Sequence, residues 1–202
     1  MPELIFQEDN HIYQLNGEVL PSVSELCAPL HKSVYADVPK WQLEQAAERG
    51  TAVHNATVSL DSTGQAQCEE EHLPYVLAYK KFRDEHAVLW GFTEHAMHHP
   101  ELRYAGTPDR YGMVDGKWTL VDIKTTYTVY KPLCRAQLNL YRLMLLAKGF
   151  QIDRMAILHL KKDATYKLVP MEEDEPLAMA LITIYNALHT RRKKGATKCP
   201  KK

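Results

Sequence analysis

Two acidic positions and a lysine are notable because their types and spacing suit metal-dependent hydrolysis. Pro108-Asp109 is followed, after twelve intervening residues, by Asp122-Ile123-Lys124. The second element ends an apolar run, Trp118-Thr119-Leu120-Val121, that is typical of a buried strand. Because side chains alternate along a strand, Asp122 and Lys124 are expected to face the same small volume. Uncompensated charges are costly to bury, so the pattern predicts a site that uses them.

The chemistry that these groups suit best is phosphodiester hydrolysis. One or two bound Mg²⁺ ions would lower the pKa of the attacking water and neutralise developing charge. Such ions prefer oxygen ligands, which Asp109 and Asp122 would supply. Lys124 would orient or activate the water, or stabilise charge in the transition state. The alternative is purely structural, with Asp109 and Asp122 paired to Arg110 and Lys124.

The motif in this literal form resembles the PD-(D/E)xK nuclease superfamily, and two further elements extend the resemblance. Arg49-Gly50-Thr51-Ala52-Val53-His54 is similar to the Gly-x-x-x-His element of RecB-type and phage-type exonucleases. Gln137-Leu138-Asn139-Leu140-Tyr141 is similar to the Gln-x-x-x-Tyr element of the same enzymes. Together with the opening segment, which includes Leu20-Pro21-Ser22-Val23-Ser24, the resemblance spans Leu4 to Lys161.

The resemblance implies both a fold and a set of site residues. The fold would be α/β, a restriction-endonuclease-like core with a mixed central β-sheet flanked by helices and an N-terminal β-hairpin. Gln137 and Tyr141 lie four residues apart on a predicted helix, so both could reach a phosphate or base near the metal. The implied catalytic residues are Lys124, Asp109, Asp122, Gln137 and Tyr141. The implied ligands of Mg²⁺ or Mn²⁺ are His54, Asp109, Asp122, the carbonyl of Ile123 and Glu94.

The assignment of Glu94 has two alternatives in the sequence itself. Glu94 lies on the strand predicted before the Gly106-Thr107-Pro108-Asp109 turn, where a surface role is the competing interpretation. Glu94-His95-Ala96-Met97-His98-His99 also invites a zinc interpretation. The order is neither His-Glu-x-x-His nor His-x-x-Glu-His, so zinc protease chemistry is not expected.

The function that the resemblance implies is that of a metal-dependent DNA nuclease, an exonuclease of the phage type used in recombination or repair. DNA is the expected partner, with a single-strand annealing or recombination protein as a further candidate. Two other hypotheses stay open on the sequence. One is a structure-specific or restriction-like endonuclease on the same fold, and the other is a DNA-binding module that does not cut.

Composition limits the domain organisation. The chain has 202 residues, 45% of them hydrophobic, which suits one domain with a substantial core. Lys and Arg number 25, as do Asp and Glu, but seven cations lie in residues 191–202 without an acid. We therefore expect a nuclease domain over residues 1–190 and a basic, flexible tail over 191–202. The tail either contacts phosphates or is merely solvated.

The compartment follows from what the sequence lacks. No run of apolar residues is long enough to span a bilayer, and Met-Pro-Glu-Leu-Ile is not a signal peptide, so no membrane association and a cytoplasmic location are expected. The cysteines are widely separated and are expected to be reduced thiols, at positions 27, 68, 134 and 199. Some relatives group three cysteines near the C-terminus around an iron–sulphur cluster, but here only Cys199 lies there, so no cluster is expected.

Apolar periodicity and turn residues predict the elements that must position the site. Strands are expected over Phe92–His98, Arg103–Val114 and Lys117–Thr125, as a meander carrying the acids, and over Met155–Leu160 and Tyr166–Val169. A hairpin turned at Asn16-Gly17 is expected over Leu4–Leu20, and a loop over Asp61–Gln67. Helices are expected over Val23–Leu30, Pro39–Leu60, Glu70–Leu89, Lys131–Lys148 and Glu175–Arg192.

Overall fold

An antiparallel three-stranded sheet opens the chain. The computed structural model describes residues 3–7 and 10–194, and only the backbone of residues 190–194. The strands are β1 (Leu4–Gln7), β2 (Ile12–Leu15) and β3 (Glu18–Leu20), with β2 in the middle. Asn16 and Gly17 both have positive φ, 51° and 84°, as the tight turn between β2 and β3 requires. The predicted hairpin is confirmed, and β1 adds a third strand to it.

Three helices follow before the main sheet begins. They are α1 (Val23–Val34), α2 (Lys40–Thr63) and α3 (Leu73–Glu85), the last preceded by a short 3-10 turn at Glu70–His72. A reciprocal capping box between Ser22 and Glu25 starts α1, since each side chain bonds the other residue's backbone N–H. Gly64, in the left-handed conformation, ends α2.

A five-stranded mixed sheet forms the centre of the molecule. The remaining elements are β4 (Val88–Thr93), β5 (Met97–His98), β6 (Ala105–Gly106), β7 (Arg110–Val114), β8 (Lys117–Lys124), α4 (Lys131–Ala147), β9 (Arg154–Leu160), β10 (Tyr166–Met171) and α5 (Glu175–Lys194). The spatial order of the sheet is β10-β9-β8-β7-β4. Neighbouring strands are antiparallel except β8 and β9, which are parallel and joined through helix α4. A separate two-stranded ribbon, β5 with β6, leads into β7.

Both faces of this sheet are covered by helices. Leu120 of β8 belongs to an apolar cluster with residues of α1, α4 and α5, whereas Val121 and Ile123 belong to a second cluster with residues of α2 and α3. The alternation along β8 therefore places Asp122 on the face covered by α4. The predicted α/β class, with a mixed sheet flanked by helices, is confirmed.

Four of the predicted boundaries that bear on the site are wrong. The helix expected to reach Leu89 ends at Glu85, because Val88 and Leu89 pair with β7 as the start of β4. The strand expected over Phe92–His98 stops at Thr93, where Glu94 takes a left-handed φ of 48°.

The other two errors lie close to the acids. The strand expected over Arg103–Val114 is interrupted between β6 and β7, at the turn that contains Pro108, whose ring removes a backbone donor. The loop expected from Asp61 begins after Thr63, so Asp61 is a helical residue. Both changes affect how the site is built.

The described chain also bears on the remaining expectations. Within the described ranges, no helix is long and apolar enough to cross a membrane. Cys27 and Cys134 are buried free thiols, and Cys68 is a half-buried one. Cys199 and residues 195–202 of the expected basic tail lie outside the described residues.

Candidate metal centre

Asp109 lies in the turn that leads into β7 and bonds to the end of β8. β7 pairs with β8 only as far as Val121. The next N–H of β8 that points toward the β7 side is that of Ile123, and no residue of β7 pairs with it. Asp109 Oδ2 accepts this hydrogen bond at 2.7 Å. The turn itself is held by a 2.9 Å hydrogen bond between the hydroxyls of Thr107 and Tyr13. Asp109 therefore takes the place that a further residue of β7 would occupy.

Asp122 and Lys124 share the face of β8 that α4 covers, as the alternation predicts. Asp122 is 1% exposed, and its Oδ2 lies 2.7 Å from Lys124 Nζ. Lys124 Nζ also donates to Gln137 Oε1 of α4 at 3.2 Å. In the described part of the chain, Asp122 Oδ1 has no hydrogen-bond partner. A buried carboxylate oxygen left in this way is costly, and a bound cation would satisfy it.

His54 of α2 reaches the same end of the sheet from the opposite face. Its Nε2 lies 3.1 Å from the carbonyl oxygen of Ile123 and 3.4 Å from Asp109 Oδ2, and its Nδ1 lies 3.1 Å from Glu94 Oε1. Burial alone would lower the pKa of His54, but the charge of Asp109 and the hydrogen bond with Glu94 raise it to about 9. Without a cation, the imidazole is therefore held as the protonated form.

Burial and neighbouring charges also shift the pKa values of the other ionisable groups at the site. Burial, reinforced by the charge of Asp122, raises the pKa of Asp109 to about 6, against the lowering effect of His54. Burial alone would raise the pKa of Glu94, but the hydrogen bond and the charge of His54 lower it. Desolvation alone would lower the pKa of Lys124, but the charges of Asp122 and Asp109 raise it above the ordinary value. Lys124 is thus a half-buried group that stays a protonated ammonium at neutral pH.

The donor atoms around His54 suit a hard or borderline divalent cation. In an octahedral shell with bonds of about 2.1 Å, neighbouring donors lie about 3 Å apart, close to the two distances measured from His54 Nε2. One candidate ligand atom each from His54, Glu94 and Asp109 lies within 4.8 Å of the others. Asp122 falls outside this group of ligand atoms, although its charge acts on Asp109. Carboxylate and carbonyl oxygens are donors that Mg²⁺ and Mn²⁺ prefer, and the imidazole adds a nitrogen donor of the kind that borderline cations favour.

Glu94 contacts the imidazole rather than standing apart on a strand. Its backbone N–H donates to the carbonyl of Asp109 at 2.9 Å, which anchors the residue directly after β4. With Glu94 at Nδ1, the Nε2 atom is the one that faces Asp109 and Ile123. A carboxylate that orients a ligating histidine in this way is a common feature of metal sites.

Gln137 and Tyr141 lie on the same face of α4, as their spacing predicts. Gln137 contacts Lys124, and its side chain also hydrogen-bonds with Tyr141. Tyr141 is buried, and burial raises the pKa of its phenol well above the ordinary value. The phenol is therefore neutral at physiological pH.

A buried arginine network supports the centre, and the sequence analysis missed most of it. Arg110 is fully buried, and it donates to Asp61 Oδ2 at 3.0 Å, to Thr57 Oγ1 at 2.9 Å and to the carbonyl of Asp109 at 2.8 Å. Thr57 and Asp61 follow His54 by three and seven residues, which is one face of α2. That spacing is the available signal, but a loop predicted over Asp61–Gln67 leaves Asp61 out of the helix.

Comparisons with known proteins place the chain far from characterised ones. No family model matches it, and no curated protein matches it. Among the solved structures that match is an alkaline exonuclease from Laribacter hongkongensis, which is 17% identical with a TM-score of 0.40. The match covers 87% of this chain and 92% of that chain. A likeness this distant carries no argument, so the function rests on the site itself.

Proposed function

We propose that the protein is a Mg²⁺- or Mn²⁺-dependent deoxyribonuclease, acting as an exonuclease in recombination or repair. The observation that carries the proposal is the buried Asp122 with its unpartnered Oδ1 and its ion pair to Lys124. This pair lies beside a second carboxylate, Asp109, whose pKa burial raises to about 6. Once His54 is neutral, as a metal ligand must be, two buried acids and one ammonium group are an expensive arrangement unless a cation and an anionic substrate complete it.

The residues would divide the work between binding the cation and handling the phosphate. When bound, the cation would lower the pKa of a water molecule and compensate charge on the phosphoryl oxygens. His54, Asp109 and the Ile123 carbonyl would hold it, and Asp122 would bind it, or a second ion, through the unpartnered Oδ1 on the β8 side. Glu94 would fix the orientation of His54 through Nδ1.

Lys124 is proposed to stabilise charge rather than to take up a proton. Its pKa is raised by Asp122 and Asp109, so the ammonium group keeps its proton and can only donate. It would hold the attacking water or a phosphoryl oxygen, where developing negative charge is greatest. Gln137 accepts one of its hydrogen bonds and so limits the directions in which Nζ can point. Tyr141, a neutral phenol next to Gln137, is left as a donor to the substrate.

Digestion of an end-labelled linear duplex tests the proposal directly. The chain should shorten the labelled strand in Mg²⁺ or Mn²⁺ and should be inactive in EDTA, and Asp122→Asn should abolish cleavage. Lys117→Gln is a matched control, because Lys117 is exposed at the opposite end of β8. Hydrolysis in EDTA as fast as in Mg²⁺ would refute the mechanism.

Circular DNA offered in parallel separates the proposal from its alternatives. An exonuclease leaves closed circles intact, whereas an endonuclease on the same site nicks them. A DNA-binding module would bind both forms in Mn²⁺ and cut neither, with no difference between the wild type and Asp122→Asn.

A further inference from the structure

An apolar cavity adjoins the candidate metal centre on the side of Lys124. Its volume is about 650 Å³, and it lies between α1, α2 and the first turns of α4. Lys124 and Gln137 form its wall toward the centre. The apolar part of its lining includes Cys27, Tyr35, Leu43, Ala46, Ala47 and Leu133.

The helices present mainly apolar faces to this space. Leu43, Ala46 and Ala47 are spaced so that they share one side of α2, and two of the three are small, which leaves the space open. Lys40 also lines the cavity, but its ammonium group is paired with Glu44 at 3.1 Å. The cavity therefore combines apolar helix faces with a half-buried cation, Lys124, at its inner end.

We propose that this cavity binds the unstacked nucleobase of a strand-terminal nucleotide whose phosphate lies at Lys124. The inference rests on the proposed function and names the part of the substrate that the site receives. A nucleotide has an anionic phosphate and a flat, largely apolar base a few ångströms apart. The phosphate would lie at Lys124 and the base against the apolar helix faces. The cavity is also continuous with the centre, because Lys124 and Gln137 belong to both.

A terminal nucleotide fits this space better than an internal one. A base within a duplex is stacked on both sides and paired, so moving it into a cavity costs a few kcal/mol. At a strand end one stacking partner is missing, and the cost is lower. The cavity would thus favour strand ends without reading sequence, because every base has a flat aromatic face.

Duplexes that lack one terminal base test the inference on the wild-type chain. Binding is measured in Ca²⁺ and single-turnover cleavage in Mg²⁺, with a tetrahydrofuran abasic residue at the 5′ end, at the 3′ end, or at both. We expect about a tenfold loss of affinity and of cleavage rate for at least one end, equivalent to about 1.4 kcal/mol. A change below twofold in binding at both ends overturns the inference.

A cavity-filling variant supplies an independent test. Ala46→Trp should bind the normal duplex as weakly as the wild type binds the abasic one, and should no longer distinguish the two. Gln42→Trp is the control, because Gln42 is an exposed residue of the same helix that does not line the cavity. If Ala46→Trp does not fold, as judged by its thermal melt, the abasic comparison on the wild type decides.

The two proposals fail in distinguishable ways. Cleavage that is equally fast on normal and abasic ends overturns the cavity inference and leaves the nuclease intact. Discrimination in binding without any metal-dependent cleavage overturns the nuclease and supports the cavity. Absence of both DNA binding and cleavage overturns both, and points to an apolar side chain of a protein partner as the occupant.

Discussion

Metal binding and charge stabilisation are assigned to different side chains, which single substitutions can separate. Asp109→Asn removes a proposed ligand, so we expect Mn²⁺ binding and cleavage to be lost together. Lys124→Gln leaves the proposed ligands in place, so Mn²⁺ should still bind while the cleavage rate falls by about 10²- to 10³-fold. Calorimetric Mn²⁺ titration beside single-turnover cleavage checks both. Equal loss of Mn²⁺ binding in the two variants would contradict the division.

Protons and the cation should compete for His54. In the metal-free protein its pKa is about 9, against an ordinary 6.5, so the folded state binds this proton more tightly than the unfolded state. The stability that it contributes is fully present below pH 6.5 and is lost as the pH rises through 9. A cation needs the neutral imidazole and displaces the proton. We therefore expect the rise in Tm on adding Mg²⁺ to grow between pH 6.5 and 9.

Thermal melts with and without Mg²⁺ at pH 6, 7.5 and 9 measure this effect. Asp109 acts in the same direction in a lower range: burial raises its pKa to about 6 from 3.8, so its contribution is lost as the pH rises through 6. His54→Gln is the control, and its Mg²⁺ effect should be small and should not increase above pH 6.5. An equal rise in Tm for the wild type at pH 6 and pH 9 would show that no proton leaves His54.

At the scale of elements, the position of Asp109 depends on how closely β6 approaches α1 and α4. A Cβ on Gly106 would lie 2.8 Å from Tyr141 Cε1 and 2.9 Å from Val23 Cγ2. Gly106→Ala should therefore destabilise the fold by about 1–3 kcal/mol, because packed neighbours must move. Cleavage should fall as well, since the displaced turn carries Asp109. Urea unfolding, with cleavage measured well below the transition, gives both values.

Gly50→Ala is the matched control for that substitution. Gly50 lies inside α2, and a Cβ there would meet nothing within 4 Å. Alanine has the higher helix propensity, so this variant should be unchanged or more stable by about 0.5–1 kcal/mol. If both variants were equally destabilised, the close contact at Gly106 would not be the cause.

Local patterns in the sequence predicted the elements that have a clear turn signal or a single dominant periodicity of apolar residues. The Asn16-Gly17 turn, helix α4 and strand β8 follow directly from turn chemistry and apolar spacing, so Asp122, Lys124, Gln137 and Tyr141 lie on the predicted faces. Pro108 is a local signal for the interruption of the strand before Asp109, because its ring removes a backbone donor. The contact that Asp109 then makes depends on how far β8 runs past the end of β7, which no local pattern contains.

Local patterns also fail to predict which distant side chains pair, as the arginine network shows. In the structural alternative Arg110 pairs with its neighbour Asp109, but its carboxylate partner Asp61 lies 49 residues away in sequence. Nothing in the spacing of the two residues connects them. Pairing of buried charges at this separation is decided by how α2 docks on the sheet, and propensities do not contain that information.

At the scale of the whole molecule, the balance of charge matters for DNA binding. The chain is neutral overall, and seven of its cations lie in residues 191–202. We expect a chain that ends at residue 190 to bind DNA more weakly, with a shallower dependence of log K on log salt, because each phosphate contact contributes a slope of about 0.9. Binding measured from 50 to 300 mM salt tests this, with Tm as the control for folding. An unchanged slope would mean that the tail is only solvated.

The central position of β8 has a consequence for how activity is lost on heating. β8 is hydrogen-bonded to β7 on one side and to β9 on the other, and it carries Asp122, Ile123 and Lys124 at its end. At these three residues β8 pairs with β9 alone, and the N–H of Ile123 is held by Asp109 Oδ2 instead of by β7. The site therefore loses its geometry when the pairing of β8 with β9 opens. Heat inactivation and global unfolding should therefore follow the same curve, without a folded but inactive species at intermediate temperatures.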